Sequence, residues 1–304
     1  MTNIKALGAS APTLAPLLAH QAAMQTCPVP PHFLPSANEP ADMPHAPNPS
    51  VPALSVVIPV YDEADSIRHL LDEVVSTLRP LMAMEIIVVD DASRDGTAAV
   101  LAAAAWGIPE LTVATHVRNQ GQSAAIVTGV SIARAAWVAT LDGDGQNDPA
   151  DLPRLMAERA RLPPDCRLVA GWRQDRRDTW SKRVGSRIAN AVRRRLLNDS
   201  TPDTGCGTKL FERDAFLALP RFRHMHRFLP ALFQRDGWRT VSVPVGHRPR
   251  TAGASKYSNL QRLWVGLFDL AGVAWLRCRP GPVGEVRVVR PGAAVAVRSA
   301  EVLQ

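Results

Sequence analysis

From residue 54 to residue 171 the chain alternates short, unbroken apolar runs with stretches in which apolar residues recur every three or four positions. The run LSVVI (54–58) is followed by Ile67, Leu70, Leu71, Val74, Val75 and Leu78, a spacing that predicts an amphipathic helix with Asp65 or Ser66 as its N-cap. EIIVV (85–89), LTVAT (111–115), WVATL (137–141) and RLVAG (167–171) predict further strands, with helical segments after Gly96, Gly121 and Pro149. Strands apolar on both faces and separated by helices predict an α/β fold, a doubly wound, mostly parallel sheet with helices on both faces.

Such a sheet binds ligands at the carboxyl ends of its strands. Five ends, PVYDE, DDASRDG, RNQGQS, DGDGQ and the step from RLVAG into Trp172 and Arg173, bring Glu63, Asp90, Asp91, Asn119, Asp142, Asp144, Gln146 and Arg173 toward one edge. Asp142 and Asp144 are two apart and leave the same face of an extended segment. Together with the Gln146 amide oxygen they form an oxygen-only donor set, suited to Mg2+ or Mn2+ and not to zinc. A bare D-G-D is more often a solvated turn; its place at a strand end among other carboxylates reverses that preference. Asn147, Asp148 and Pro149 read as an ordinary lead into the next helix. No G-x-x-x-x-G-K-[ST] and no G-x-G-x-x-G opening the first helix occurs, so a nucleotide here is expected to be held through metal and carboxylates.

Composition places this chemistry within a longer chain. Residues 1–52 hold eleven of the 26 prolines and no helical or alternating period, which predicts a disordered Pro/Ala-rich leader. No continuous apolar core follows Lys5, so it does not read as a signal peptide. Cys27, Cys166, Cys206 and Cys278 form no C-x-x-C pair and suggest neither disulfides nor zinc; a reducing compartment is expected. The net charge of +7 is local, since Arg173–Arg195 contains nine Lys and Arg against two Asp.

VVIPVYDEADSI, IIVVDDASRDGT, RNQGQSAAIVTG and TLDGDGQNDP, in this order and spacing, resemble the inverting family 2 glycosyltransferases of GT-A fold. GWR, DTGCGTKLF and RTAGASKYS are similar to the polyprenyl-phosphate branch, the dolichyl-phosphate mannosyltransferase-like enzymes. The resemblance covers about Leu54 to Tyr257. It implies a glycosyltransferase domain over 53–258, followed by a helix at 259–280 and a tail at 281–304. Pro59, Tyr61, Glu63, Val89 and Asp91 would contact the base and ribose of a nucleotide sugar, and Asp142, Asp144 and Gln146 would hold the metal bridging its diphosphate. Arg173, Arg250 and Lys256 would meet phosphate groups, Asp144 and Arg173 being the expected catalytic residues. The family usually has Asn where Asp62 stands. DTGCG replaces a common D-x-x-S-G-F, which weakens the assignment of Asp203 and Cys206.

A phosphomonoester acceptor, with a second pKa of about 6, is already ionised at neutral pH and needs cationic positioning more than a base. In SKRVGSRIANAVRRRLL an apolar stripe backs Arg183, Arg187, Asn190 and Arg194, and Arg173, Arg183, Ser186 and Arg187 are the candidate acceptor-phosphate contacts. A solvated arginine-rich helix fits that segment equally. LWVGLFDLAGVAWL (263–276) is too short to span a bilayer. It reads either as an interfacial helix or as one packed under the sheet, and EVRVV beyond it as an edge strand.

The first expectation is therefore a metal-dependent, inverting hexosyltransferase carrying a sugar from a UDP- or GDP-linked donor to a polyprenyl phosphate. It would be peripheral on the inner, cytoplasmic face of the cytoplasmic membrane and drawn to its anionic surface. No nucleic-acid partner is expected of it, and association into a homo-oligomer is left open. A second reading keeps the donor but uses a polysaccharide, lipid or protein hydroxyl. A third makes the basic helix and the apolar C-terminal segment a non-enzymatic membrane- or nucleic-acid-binding module.

Overall fold

LSVVIPV, buried at every position, forms β1 (Leu54–Val60), which pairs in parallel with β2 (Met84–Asp90) on one side and β4 (Trp137–Thr140) on the other. The computed structural model describes residues 51–173, 193, 195–197, 199, 201–248, 259–279, 287–290 and 293–296. All lie in the unit Pro40–Gln304; the chain's other unit, Met1–Glu39, falls within the span expected as a leader and outside the described residues.

β3 (Leu111–Thr115) extends the sheet beyond β2, and β5 (Cys166–Arg173) is parallel to β7 (Arg239–Val245) at the other end. The order is β3-β2-β1-β4-β6-β5-β7. All five expected strands form. Between β4 and β5, however, lies β6 (Lys209–Glu212), antiparallel to both. The sheet is therefore mostly parallel with one reversed strand inside it. β1 to β5 still end on one edge, because β6 reverses direction twice over. β3 is an edge strand with largely exposed positions, unlike the fully buried β1 and β2.

Two cores face away from the sheet. On one side α1 (Ala64–Leu78), α2 (Thr97–Gly107) and α4 (Asp151–Arg161) cover Leu54, Val56, Ile58 and Val60; on the other α3 (Gln122–Ile132), α5 (Arg213–Leu217), α6 (Leu229–Arg235) and α7 (Asn259–Arg277) cover Val57 and Ile87. The N-cap of α1 is Glu63, not Asp65 or Ser66, and its side chain makes no capping bond. The loop after β2 serves the leading amides instead: Glu63 N donates to Thr97 Oγ1 at 2.9 Å and Ala64 N to Asp95 Oδ2 at 3.2 Å. Ser66 is thereby free to donate to Gly143 O at 2.8 Å.

The apolar segment near the C-terminus lies in α7, where Leu270 and Val273 enter the second core while Phe268 and Trp275 stay 74% and 58% exposed. It packs through one face and presents apolar side chains on another. No helix among the described residues is long and apolar enough to cross a membrane. EVRVV contributes to β8 (Arg287–Arg290), which among the described residues pairs only with β9 (Ala293–Ala296) and does not border the main sheet.

At the opposite edge from the strand ends, Glu85 is buried and accepts Ser55 Oγ at 2.6 Å, Arg134 N at 2.6 Å and Arg134 Nε at 2.8 Å. Burial raises its pKa, but the bonds from Ser55 and Arg134 outweigh this and hold the carboxyl below its usual value. A depressed folded-state pKa stabilises above the unfolded value, and this is lost as pH falls below about 4.3. Glu85→Gln is expected to flatten the fall in urea-unfolding free energy between roughly pH 5 and 3. Gly129 brings α3 onto β1 so closely that a Cβ would lie 2.4 Å from Val57 Cγ1. Gly129→Val is expected to lower the unfolding free energy by about 1–3 kcal/mol in the same assay.

Candidate functional site

The chain leaving β4 turns through Asp142–Gln146 at the shared strand edge. Asp142 N donates to Asn147 Oδ1 at 2.7 Å, which closes the turn, and Gly145 takes φ 72°, a conformation that strains any side-chain-bearing residue. Asn147 is thus not part of an ordinary lead into α4: it is buried, it clamps the turn and it bridges to His247. Arg248 N donates to Gln146 O at 2.9 Å, and the Arg248 guanidinium pairs with Asp148 and Glu73. The segment after β7 is stitched to the far side of the turn.

Asp142 and Asp144 are near enough to repel one another. Burial, and then the charge of Asp144, push the Asp142 carboxyl above its usual value, against the pull of Lys209 and Arg173. Asp142 Oδ1 accepts Gln122 Nε2 at 2.8 Å. A Cβ on Gly207 would lie 2.1 Å from Asp142 Oδ2, so the main chain entering β6 is pressed against this carboxylate and leaves it no room to withdraw. Gln146 N donates to Asp144 Oδ1 at 3.2 Å. Two neighbouring carboxylates, one of them penalised for its charge, and an amide on one turn fit a hard divalent cation, which would remove the mutual repulsion. Among the described residues no group of three or more His, Cys, Asp and Glu forms a metal cluster.

Other expected site residues have different surroundings. Asp91 is a loop anchor: its carboxylate accepts Gln120 N at 2.8 Å and Gly121 N at 2.7 Å and meets His116 Nδ1 at 2.6 Å, the two side chains being 4% and 8% exposed. Val89 is wholly buried in the core beneath α3, where a Cβ on Gly129 would come within 3.3 Å of it. Pro59 lies beside it in register, and its carbonyl backs Gly143. Tyr61 and Glu63 sit at the end of β1, where Glu63 Oε2 accepts Ser66 Oγ at 3.2 Å. Asp62 takes φ 53°, a conformation Asn and Asp adopt more readily than most residues, and accepts Arg94 N at 2.7 Å.

Arg173 is half-buried and already paired with an acid. It makes a bidentate pair with Asp203, Nε to Oδ2 at 2.7 Å and Nη2 to Oδ1 at 3.1 Å. Arg183, Ser186, Arg187, Arg250 and Lys256 lie outside the described residues. Cys166 and Cys206 are buried free thiols.

Sequence reasoning missed Gln122, His116, Lys209 and His226. Gln122 and Lys209 lie inside motifs already singled out, RNQGQS and DTGCGTKLF, whereas nothing around His116 or His226 marked them. Lys209 is buried beneath the turn and donates from Nζ to Cys206 O; burial lowers its pKa, while Cys206, Asp142 and Asp203 raise it. His226 Nδ1 meets Ser123 Oγ at 2.7 Å, and burial with nearby Lys209 and Arg227 holds the ring well below its usual pKa.

The sequence model of Glycosyl transferase family 2 matches residues 55–219. Over 219 residues the chain is 37% identical to an undecaprenyl-phosphate 4-deoxy-4-formamido-L-arabinose transferase of Sodalis glossinidius, covering 71% of this chain and 66% of that one. A relative of the same description from Pseudomonas paraeruginosa is 39% identical, with coverages of 71% and 63%. The chain thus spans less than two thirds of the length of these curated relatives. In fold it is similar to glucosyl-3-phosphoglycerate synthase from Mycobacterium tuberculosis in complex with Mg2+ and UDP (TM-score 0.56, 20% identity, 75% of this chain and 79% of that one). It is also similar to a mannosyltransferase from Pyrobaculum calidifontis in complex with GDP-Man and Mn2+ (TM-score 0.50, 19% identity, 86% and 71%).

Removing one partner of a buried ion pair leaves the other charge uncompensated, at a cost of about 3–5 kcal/mol. Asp203→Ala is therefore expected to lower the urea-unfolding free energy by roughly 3 kcal/mol. The double variant Arg173→Met/Asp203→Leu should cost less than the sum of its two single changes.

Proposed function

The chain belongs to glycosyl transferase family 2, and from that premise we propose that it transfers a sugar from a UDP- or GDP-linked donor to a polyprenyl phosphate at the cytoplasmic face of a membrane. The observation that carries this reading is the clamped turn Asp142–Gln146, with its strained carboxylate pair held at the common strand edge. Asp142, Asp144 and Gln146 are the residues that would hold Mg2+ or Mn2+, supported by the donor chemistry and by the metal–nucleotide complexes among the solved structures of like fold. When bound, such a cation supplies charge stabilisation to the departing nucleoside diphosphate.

The acceptor assignment draws on the relatives named for undecaprenyl phosphate and on a physical argument. A hydroxyl acceptor needs a base. Of the carboxylates gathered around the turn, Asp142 and Asp144 are the proposed cation ligands, Asp203 is locked to Arg173 and Asp91 is occupied by backbone amides. A phosphomonoester, mostly ionised at pH 7, dispenses with a base. Glu63, Tyr61 and Pro59, at the end of β1, are the proposed walls of the nucleoside pocket; Arg250 and Lys256 keep their proposed part at the phosphates. The exposed Phe268 and Trp275 of α7 support a lipid-facing position.

Purified full-length protein given short-chain or membrane-borne polyprenyl phosphate, Mn2+ and a donor panel of hexose and pentose nucleotides should release nucleoside diphosphate. It should also yield an acid-labile product that extracts into organic solvent. Absence of metal-dependent release with every donor overturns the reading. Asp144→Asn is expected to reduce turnover by about a hundredfold or more and to abolish the Mn2+-induced rise in melting temperature; full activity would remove Asp144 from the metal site.

A further inference from the structure

A cleft of about 790 Å³ opens between the start of α3 and the segment 221–227 that follows α5. One wall carries Gln122 and Ser123, and the other Arg221, Arg223 and Arg227. Gln122 is the link to the turn, because the side chain that lines the cleft also donates to Asp142 Oδ1 at 2.8 Å. The cleft thus runs from the proposed metal carboxylate to an arginine-bearing rim.

Its charge is one-sided. Among the described residues no acid pairs with Arg221 or Arg223, both of which are exposed. The acid drawn to this segment, Asp269 of α7, is taken by His224 Nδ1 at 2.8 Å. On the inner side Asp91 lies behind the cleft wall, its oxygens occupied by Gln120 N, Gly121 N and His116. The rim is positioned as well as charged: His224, at φ 66°, is anchored to α7, and His226 is bonded to Ser123 in the first turn of α3.

We propose that this cleft binds the acceptor's phosphomonoester, with Arg221 and Arg223 supplying charge beyond that of Arg173, whose Nε and Nη2 are committed to Asp203. The assignment rests on the transfer reaction proposed above for its chemistry, and on the cleft for its location. The anchorage to α7, which carries the exposed Phe268 and Trp275, places the apolar tail of such an acceptor toward the lipid-facing helix. Arg227, at the inner end of the segment, lies beside the half-buried His226, whose ring is held well below its usual pKa by desolvation and nearby cations.

The test is calorimetric binding of citronellyl phosphate to the full-length protein, with inorganic phosphate and phosphatidylglycerol vesicles as parallel arms. The Arg221→Gln/Arg223→Gln variant is compared with wild type at matched melting temperature. The expected result is saturable binding to wild type, weakened about tenfold or more in the variant, with the Mn2+–UDP or Mn2+–GDP affinity unchanged. No saturable binding to wild type, or equal affinity in the variant, overturns the site. Loss of vesicle binding alone, with citronellyl phosphate binding intact, also overturns it and assigns the arginines to lipid headgroups. An Arg221- and Arg223-dependent phosphate site in a protein that turns over no donor would leave this site standing and remove the transfer reaction. In an active enzyme the same variant should raise the acceptor KM by the same factor and leave the donor KM unchanged.

Discussion

Each parallel strand that leaves this sheet must find new partners for backbone amides that the ladder no longer satisfies, and the protein meets this demand with aspartates. Asp90 accepts Ser93 N, Asp91 accepts Gln120 N and Gly121 N, Asp95 accepts Thr97 N and Ala64 N, and Asp203 accepts Gly205 N. An unpaired buried amide costs about as much as a lost hydrogen bond. These carboxylates therefore fix the loops, and through them the edge of the sheet where β1 to β5 end. The start of α1 depends on the same arrangement, since Asp95 and Thr97 serve its leading amides across the chain.

This sharing of labour separates carboxylates that look alike in the sequence. Asp91 and Asp142 both follow an apolar strand and stand beside another acidic residue or one position from it. Asp91 is spent on two amides and a histidine. Asp142 is half-buried and pressed against Gly207, repelled by Asp144 and given one neutral amide donor from Gln122. What distinguishes them is the number of donors the fold aims at each, a property of how loops from distant strands meet. The alternation of apolar runs and helical periods made β1 to β5 and the first four helices legible, because period and burial are local. The D-G-D-G-Q turn was legible as a donor set for the same reason.

The remainder depends on long-range packing. β6 is four residues long, separated from β5 by a segment of more than thirty, and its antiparallel insertion between β4 and β5 follows from pairings that no local period encodes. Val89 carries a family role in the resemblance yet lies in the core, since α3 crosses there through Gly129. Asn147 had the look of a helix lead because its partner is a main-chain amide five residues back, and its second tie, to His247, comes from a hundred residues away. His226 gave no signal at all: its significance comes from Ser123 in a different element.

Charge balance shows most clearly how pairing changes the meaning of a residue. The basic excess counted along Arg173–Arg195 suggested that its first member would face a phosphate, but Arg173 meets Asp203 through both ends of its guanidinium. Arg173, together with buried Lys209, lends positive potential to Asp142. Lys209 and Arg173 lessen the electrostatic cost of the carboxylate turn. Cations that contact an incoming anion must then come from residues that the fold leaves without an acid, on a surface the anion can reach. Arg221 and Arg223 meet that criterion more fully than Arg173, which already has an acid partner. The distinction rests on pairing and exposure, which a count of Lys and Arg along the chain does not contain.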